Sequence, residues 1–321
     1  SSDLDPQVVE GAPAKQGGAQ RAHRRGRELE RPHGRARQAS RPLMPGTYLI
    51  LGAPHSGTSL ILHILGAAPT FRALGEFEYW LIERRGEFWG GKHRVTCKGC
   101  QGPCPVWDAA PDFTEDDLYR QVRRFLQAEW VVDSIRPSWL DDWDRKETES
   151  TVGIVMHKSI EDFTVSTLTK ERVNSAPAEE IAKAGRLWVD LYQAHRRFVE
   201  AADAHQGIDL LDVVFVSYEQ LVFSPAFTVY NCLRPALGAE GATSAASRVP
   251  KYWAASENTR HAFGGTHAIT EAIVKRDSTI KLDPKLGMAN AKVREVLSEV
   301  PGAAETKQWL VRHRRHGNKG V

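Results

Sequence analysis

No apolar run in this chain of 321 residues approaches the roughly 18 residues that a membrane helix needs. The N-terminus also lacks a basic start followed by an apolar stretch, the pattern of a signal peptide. The chain is expected to be soluble, in the cytoplasm or, if an upstream targeting segment has been removed, in the secretory-pathway lumen. No internal repeat is visible, and no residue class is in large excess: apolar residues make up 41%, charged residues 26% and aromatics 8%. Those values exclude collagen, coiled coil and wholesale disorder, and the length is ample for a real core.

Excess charge is also scarce. The formal net charge is +3, and it is unevenly spread. Residues 1–45 hold nine Lys/Arg against five Asp/Glu, which leaves 34 against 35 for the rest. The basicity belongs to an N-terminal arm rich in Arg, Gly, Ala and Gln, with almost nothing to pack, and such a segment is expected to be disordered. It reads as a solvated tail, and nucleic acid is not the expected partner. Residues 46–321 read as one α/β domain.

Short apolar runs at Tyr48–Leu51, Trp130–Asp133, Val152–Met156 and Val213–Val216 have the composition of buried strands and alternate with helical stretches. This alternation predicts a central parallel sheet flanked by helices. The clearest helix spans Ala178–Ala204, where Ile181, Ala184, Leu187, Trp188, Leu191, His195 and Phe198 fall on one face. His195 on that stripe reads as a satisfied core histidine rather than a ligand or base.

The most informative segment is Gly52-Ala53-Pro54-His55-Ser56-Gly57-Thr58-Ser59, where the first strand turns into a helix. Its glycine spacing is that of a P-loop, in which backbone N–H groups and the positive end of the helix dipole surround an anion. Ser56, Thr58 and Ser59 add hydroxyl donors. An NTPase loop has Lys directly after the second Gly; here that position is Thr58. The loop suits a phosphate but lacks the group used on triphosphates.

The spacing Pro54-His55-Ser56-Gly57-Thr58-Ser59-Leu60 resembles the 5′-phosphosulfate loop of the sulfotransferases that use 3′-phosphoadenosine-5′-phosphosulfate (PAPS). Val131-Val132-Asp133-Ser134-Ile135-Arg136-Pro137 is similar to that family's V-D-S-S-K-x-P stretch. Lys158, followed eight residues later by Ser166, resembles its Arg and Ser that hold the 3′-phosphate. Tyr218-Glu219-Gln220-Leu221 resembles its Y-E-D-L segment. Gly75-Glu76 with Cys97, Cys100 and Cys104-Pro105-Val106-Trp107 resembles the corresponding region of bacterial-type members, and His261-Ala262-Phe263-Gly264-Gly265-Thr266 resembles their H-x-x-G-G-N.

The resemblance spans about residues 46–310. It implies a P-loop-like α/β enzyme moving a sulfuryl group from PAPS to a hydroxyl of a carbohydrate, a tyrosyl residue or a small alcohol, with no metal. It assigns catalysis to Glu76 as general base and to His55 as donor to the bridging oxygen of the leaving group, and Pro54, His55, Ser56, Gly57, Thr58, Ser59, Arg136, Lys158, Ser166, Gly264, Gly265 and Thr266 to the nucleotide. Arg136 has the alternative of pairing with Asp133 or Asp141, and Glu76 that of an exposed residue at a helix start.

This sequence departs from the pattern in four places. His55 stands where the family has Arg or Lys, Arg136 where it has Lys, Lys158 where Arg is commonest, and Thr266 where it has Asn. A permanent cation is thereby replaced at residue 55 by a group that titrates near pH 6.5. A P-loop nucleotide or sugar kinase and a non-catalytic nucleotide-binding module are the rival readings.

Cys97, Cys100 and Cys104, with His93 nearby, have spacings open to zinc, a disulfide or free thiols. Cys232 reads as core. The aromatics Trp80, Phe88, Trp89 and Trp107 are candidates either for stacking on an acceptor or for loop packing.

Overall fold

The computed structural model describes residues 45–84, 97, 99–100, 103–137, 140, 143–147, 149–168, 172, 175–203, 210–263 and 267–314. The N-terminal arm, His93, Phe88, Trp89, Asp141 and Gly264–Thr266 therefore lie outside the described residues.

Five strands, β1 (Gly46–Gly52), β2 (Phe71–Gly75), β3 (Trp130–Ser134), β4 (Ser150–His157) and β5 (Leu210–Ser217), form one sheet in the order β2-β3-β1-β4-β5. Every pairing is parallel. The α/β architecture expected from the alternating runs is present. Four of the strands coincide with those runs, and β2 is an addition.

The helices in chain order are α1 (Thr58–Gly66), α2 (Phe77–Arg84), α3 (Leu118–Leu126), α4 (Trp143–Lys146), α5 (Ile160–Thr167) and α6 (Ala178–Asp203). They continue with α7 (Tyr218–Phe223), α8 (Pro225–Tyr252, broken at Gly238), α9 (Glu257–Arg260), α10 (His267–Lys275), α11 (Ala291–Ser298) and α12 (Ala303–Arg314).

The sheet is covered on both faces, and β1 shows how the sequence achieves this. Successive side chains point to opposite faces of a strand. Leu49 and Leu51 enter one core with residues of α2, α3, α5, α6, α11 and α12, whereas Tyr48 and Ile50 enter the other with residues of α1, α7, α8 and α10. A central parallel strand consequently reads as an unbroken apolar run.

On α6, Ile181, Ala184, Trp188, His195 and Phe198 are buried as the stripe predicts, but Leu187 is 45% exposed. His195 is fully buried, yet neither ring nitrogen has a hydrogen-bond partner among the described residues. It is an unsatisfied core histidine, and burial pushes its pKa down to about 3.

Strand order locates the natural binding crevice. From β1 the chain moves to β2 and β3 on one side of the sheet, then crosses to β4 and β5 on the other. The direction reverses between neighbours β1 and β4, whose register pairs Gly52 with Met156 at their carboxyl ends. Open α/β sheets bind ligands outside the carboxyl ends of the strands at such a switch point.

Candidate functional site

The Gly52–Ser59 loop lies at that switch point. His55 and Gly57 both have left-handed backbones, φ 64° and φ 90°. Glycine is needed at residue 57 for a second reason: a Cβ there would come within 2.8 Å of the Tyr218 ring and 2.9 Å of the Met156 methyl. The turn opens into α1, which has no side-chain cap and no acidic residue in its first turn. Its leading N–H groups and dipole are thus presented to the crevice without a competing carboxylate in that turn.

A cavity of about 670 Å³ lies against this turn, within the range that holds a nucleotide-sized ligand. His55, Gly57, Thr58, Ser59, Lys158, Tyr218 and Asp283 are among its lining residues. The lining is not broadly basic, because Lys158, Lys275 and Lys281 are matched by Glu271, Asp277 and Asp283. Pro54 and Ser56 are not in the lining. Ser56 is fully buried, with its hydroxyl 3.2 Å from the Tyr192 hydroxyl, which in turn donates to the Met156 carbonyl at 2.8 Å. In this arrangement the Ser56 hydroxyl, expected to meet the ligand, ties the loop to β4 through α6.

Lys158 follows β4, and Ser159 caps α5 by accepting from the Asp162 N–H. Two helical turns then return Ser166 to the same sheet edge, and the Lys158 ammonium donates to its hydroxyl at 3.2 Å. Both side chains meet a residue the sequence reading missed. Lys158 at 2.6 Å and Ser166 at 2.8 Å donate to the same carboxylate oxygen of Asp283.

The Lys158 side chain is 2% exposed, and its ammonium sits 4.2 Å from the centre of the Tyr218 ring. That ring is the one packed against Gly57, so a single aromatic side chain separates the Gly52–Ser59 loop from the Lys158 ammonium. A capping box at Ser217–Gln220 starts α7 and places Tyr218 there. The Tyr218 hydroxyl also accepts from the Asp283 N–H at 2.9 Å.

Electrostatics follow from this packing. Asp283 is desolvated, which favours its neutral form, but hydrogen bonds from Lys158, the Lys285 N–H and Ser166 outweigh burial and hold its pKa below the usual carboxylate value. His55 is shifted down, first by desolvation at the cavity wall and then by the ammonium groups of Lys158 and Lys285. Both causes favour the neutral imidazole, and a bound anion would draw its pKa back up.

The other expected site residues lie two strands away or are otherwise engaged. Arg136 does not line the cavity. It pairs with the buried carboxylate of Glu78 and covers the Tyr79 ring, with its guanidinium 4.6 Å from the ring centre. Its expected partner Asp133 is instead fully buried, accepting from the Tyr119 hydroxyl at 2.7 Å and from the N–H groups of Ser134 and Phe77; burial pushes its pKa up to about 8.

Glu76 follows β2 on the same carboxyl edge and is half-buried, with Arg136 and Tyr79 in its electrostatic neighbourhood. It is absent from the lining of the cavity beside His55. Trp80 and Trp107 belong to a packed aromatic cluster with Phe77, Phe113 and Phe263, which removes them as acceptor platforms. No helix among the described residues is long and apolar enough to cross a membrane.

Comparison with known proteins finds no matching family model and no matching curated protein. Among solved structures, the chain is similar to the sulfotransferase domain of the Synechococcus PCC 7002 olefin synthase, at 14% identity and TM-score 0.44 over 80% of this chain and 94% of that one. It is also similar to sulfotransferase STF1 from Mycobacterium tuberculosis H37Rv (17%, TM-score 0.36, 73% and 77% covered). Sulfotransferase STF9 from Mycobacterium avium gives 15%, TM-score 0.35, and 76% and 78% covered. All three TM-scores lie below 0.5, so the functional reading rests on the chemistry of the crevice.

Proposed function

We propose that this chain is a PAPS-dependent sulfotransferase acting on a hydroxyl acceptor. One observation supports the reading: the Gly52–Ser59 loop and Lys158, which is hydrogen-bonded to Ser166 behind it, meet at one cavity on either side of the Tyr218 ring. Two anion sites on one crevice suit a nucleotide phosphorylated at both ends of its ribose. In this reading the 3′-phosphate takes the place of the Asp283 carboxylate on Lys158 and Ser166, and the 5′-phosphosulfate lies along the amides of residues 57–59.

Transfer is an in-line displacement. The acceptor oxygen bonds to sulfur as the bond from sulfur to the bridging oxygen breaks, and the charge gathering on the leaving phosphate is met by loop amides, Thr58 and His55. Glu76, leaving the same sheet edge two strands away, is assigned the acceptor's proton. His55 donates to the leaving oxygen once the bound dianion has raised its pKa. Arg136 is proposed to act through Glu78 and Tyr79 rather than on the nucleotide.

A kinase is disfavoured by Thr58 at the lysine position. Incubation with sulfur-labelled PAPS and panels of carbohydrate, tyrosyl-peptide and small-alcohol acceptors tests the reading. Label transferred to one class, abolished by Lys158→Met, supports it; PAPS binding with no transfer to any class favours the non-catalytic module.

A further inference from the structure

Cys97, Cys100, Cys104 and His261 converge outside the crevice, with their four ligand atoms all within 4.8 Å of one another. We infer that these side chains form a closed Cys3His zinc site that fastens the segment between α2 and α3 to the turn after α9.

Geometry is the first support. Zinc–sulfur bonds of about 2.3 Å and zinc–nitrogen bonds of about 2.0–2.1 Å at tetrahedral angles put sulfur and nitrogen about 3.5 Å apart. The Nδ1 atom of His261 stands 3.5 Å from Cys97 Sγ, 3.7 Å from Cys100 Sγ and 3.3 Å from Cys104 Sγ. One imidazole nitrogen has a single proton or a single lone pair. It cannot hydrogen-bond to three thiols at once, but three sulfurs around one nitrogen at this spacing are the edges of a coordination tetrahedron. All four cysteines of the chain are free, so the three sulfurs are not engaged in a disulfide.

The surroundings are built for a metal knuckle. Gly99, inside the Cys97–Cys100 turn, donates its N–H to the Arg260 carbonyl at 2.8 Å, and a Cβ there would lie 2.5 Å from that oxygen. The Cys104 N–H donates to Asp108 at 2.8 Å, and the Trp107 indole donates to the His261 carbonyl at 2.5 Å. Cys97 and Cys104 are buried. Three thiolates and one imidazole leave no open position, the pattern of a structural rather than a catalytic site.

The site's task follows from its neighbours. Two residues after His261, the Phe263 N–H donates to the Leu74 carbonyl at 2.7 Å, and Gly75 packs against the Phe263 carbonyl. The metal thereby pins the end of β2. The inference stands whether or not the sulfotransferase reading holds.

The test is metal analysis of the full-length chain, expressed with zinc, purified under reducing conditions without chelators, and followed by cobalt titration of the zinc-stripped protein. Expected are about one zinc per chain and, with cobalt, the visible bands of a tetrahedral ion with a near-ultraviolet thiolate band. Cys104→Ser and His261→Ala should lose the metal while Cys232→Ser keeps it. If the variants fail to fold, the wild-type cobalt spectrum still decides. A folded wild-type chain that carries no zinc and gives no thiolate–cobalt band overturns the inference.

Discussion

Asp283→Asn should tighten nucleotide binding while weakening the ligand-free fold. In the structure, Asp283 occupies two donors, Lys158 at 2.6 Å and Ser166 at 2.8 Å, that a 3′-phosphate would also need. Hydrogen bonds involving a charged group are worth about 1.5–3 kcal/mol each. Asp283 is 22% exposed and faces an open cavity, so the lower end applies. Asn still accepts from both donors, at about half the strength of a carboxylate, so of the roughly 3 kcal/mol in the two bonds about 1.5 kcal/mol is released, and binding of 3′-phosphoadenosine-5′-phosphate should strengthen roughly tenfold.

Lys158 at the same time loses its countercharge. Breaking a fully buried pair costs about 3–5 kcal/mol; discounted for hydration of the cavity, roughly 1–2 kcal/mol of apo stability should disappear. Titration calorimetry measures the first effect and denaturant unfolding without ligand the second. An Asn variant with native circular dichroism that binds the nucleotide no better than wild type would show that Asp283 does not compete for the anion seat.

Gly57→Ala should weaken the same nucleotide at least tenfold by calorimetry, because a left-handed residue acquires a Cβ that meets Tyr218 at 2.8 Å. Glu76→Gln should lower kcat by roughly a hundredfold or more with little change in nucleotide affinity; undiminished turnover removes Glu76 as the base. His195→Leu should flatten the acid limb of stability. With the folded pKa about 3 against roughly 6.5 unfolded, the unfolded chain takes up the proton first, so stability present above pH 6.5 is lost as pH falls towards 3. Between pH 7 and 5 the wild type should lose about 2 kcal/mol more than the variant in urea unfolding.

The sequence made legible those features that depend on nearby residues. β1, β3 and β4 announce themselves because strands buried on both faces are continuous apolar runs; β5, a partly exposed edge strand, does so only through its run Val213–Val216. Strand β2, Phe71–Gly75, does not: it has five residues, one of them Arg72, and ends directly against α2. Lys158 and Ser166 were legible as a pair because eight residues make about two helical turns.

Asp283 was not legible. It belongs to a stretch without helical or strand period, 117 residues beyond Ser166, and only the fold brings them together. Arg136 and Glu78, 58 residues apart, were hidden for the same reason. Among the cysteines, nearness in sequence suggested His93, which lies outside the described residues, and nothing in the sequence pointed to His261, which the turn after α9 brings beside the three sulfurs. Ser56 shows the converse limit: its place in the turn between β1 and α1 was legible, but not that α6 brings the Tyr192 hydroxyl within 3.2 Å of its own.

The proposed function requires one crevice to bind a nucleotide phosphorylated at both the 3′ and 5′ positions, the 5′ group on the Gly52–Ser59 loop and the 3′ group on Lys158. Calorimetry comparing 3′-phosphoadenosine-5′-phosphate with adenosine 5′-phosphate, with and without Mg²⁺, tests it most directly. The bisphosphate is expected to bind about a hundredfold tighter, equivalent to roughly 2.7 kcal/mol from the 3′-phosphate on Lys158 and Ser166, and independently of Mg²⁺. Equal affinities for the two nucleotides, or tight binding only of ATP with Mg²⁺, would contradict it.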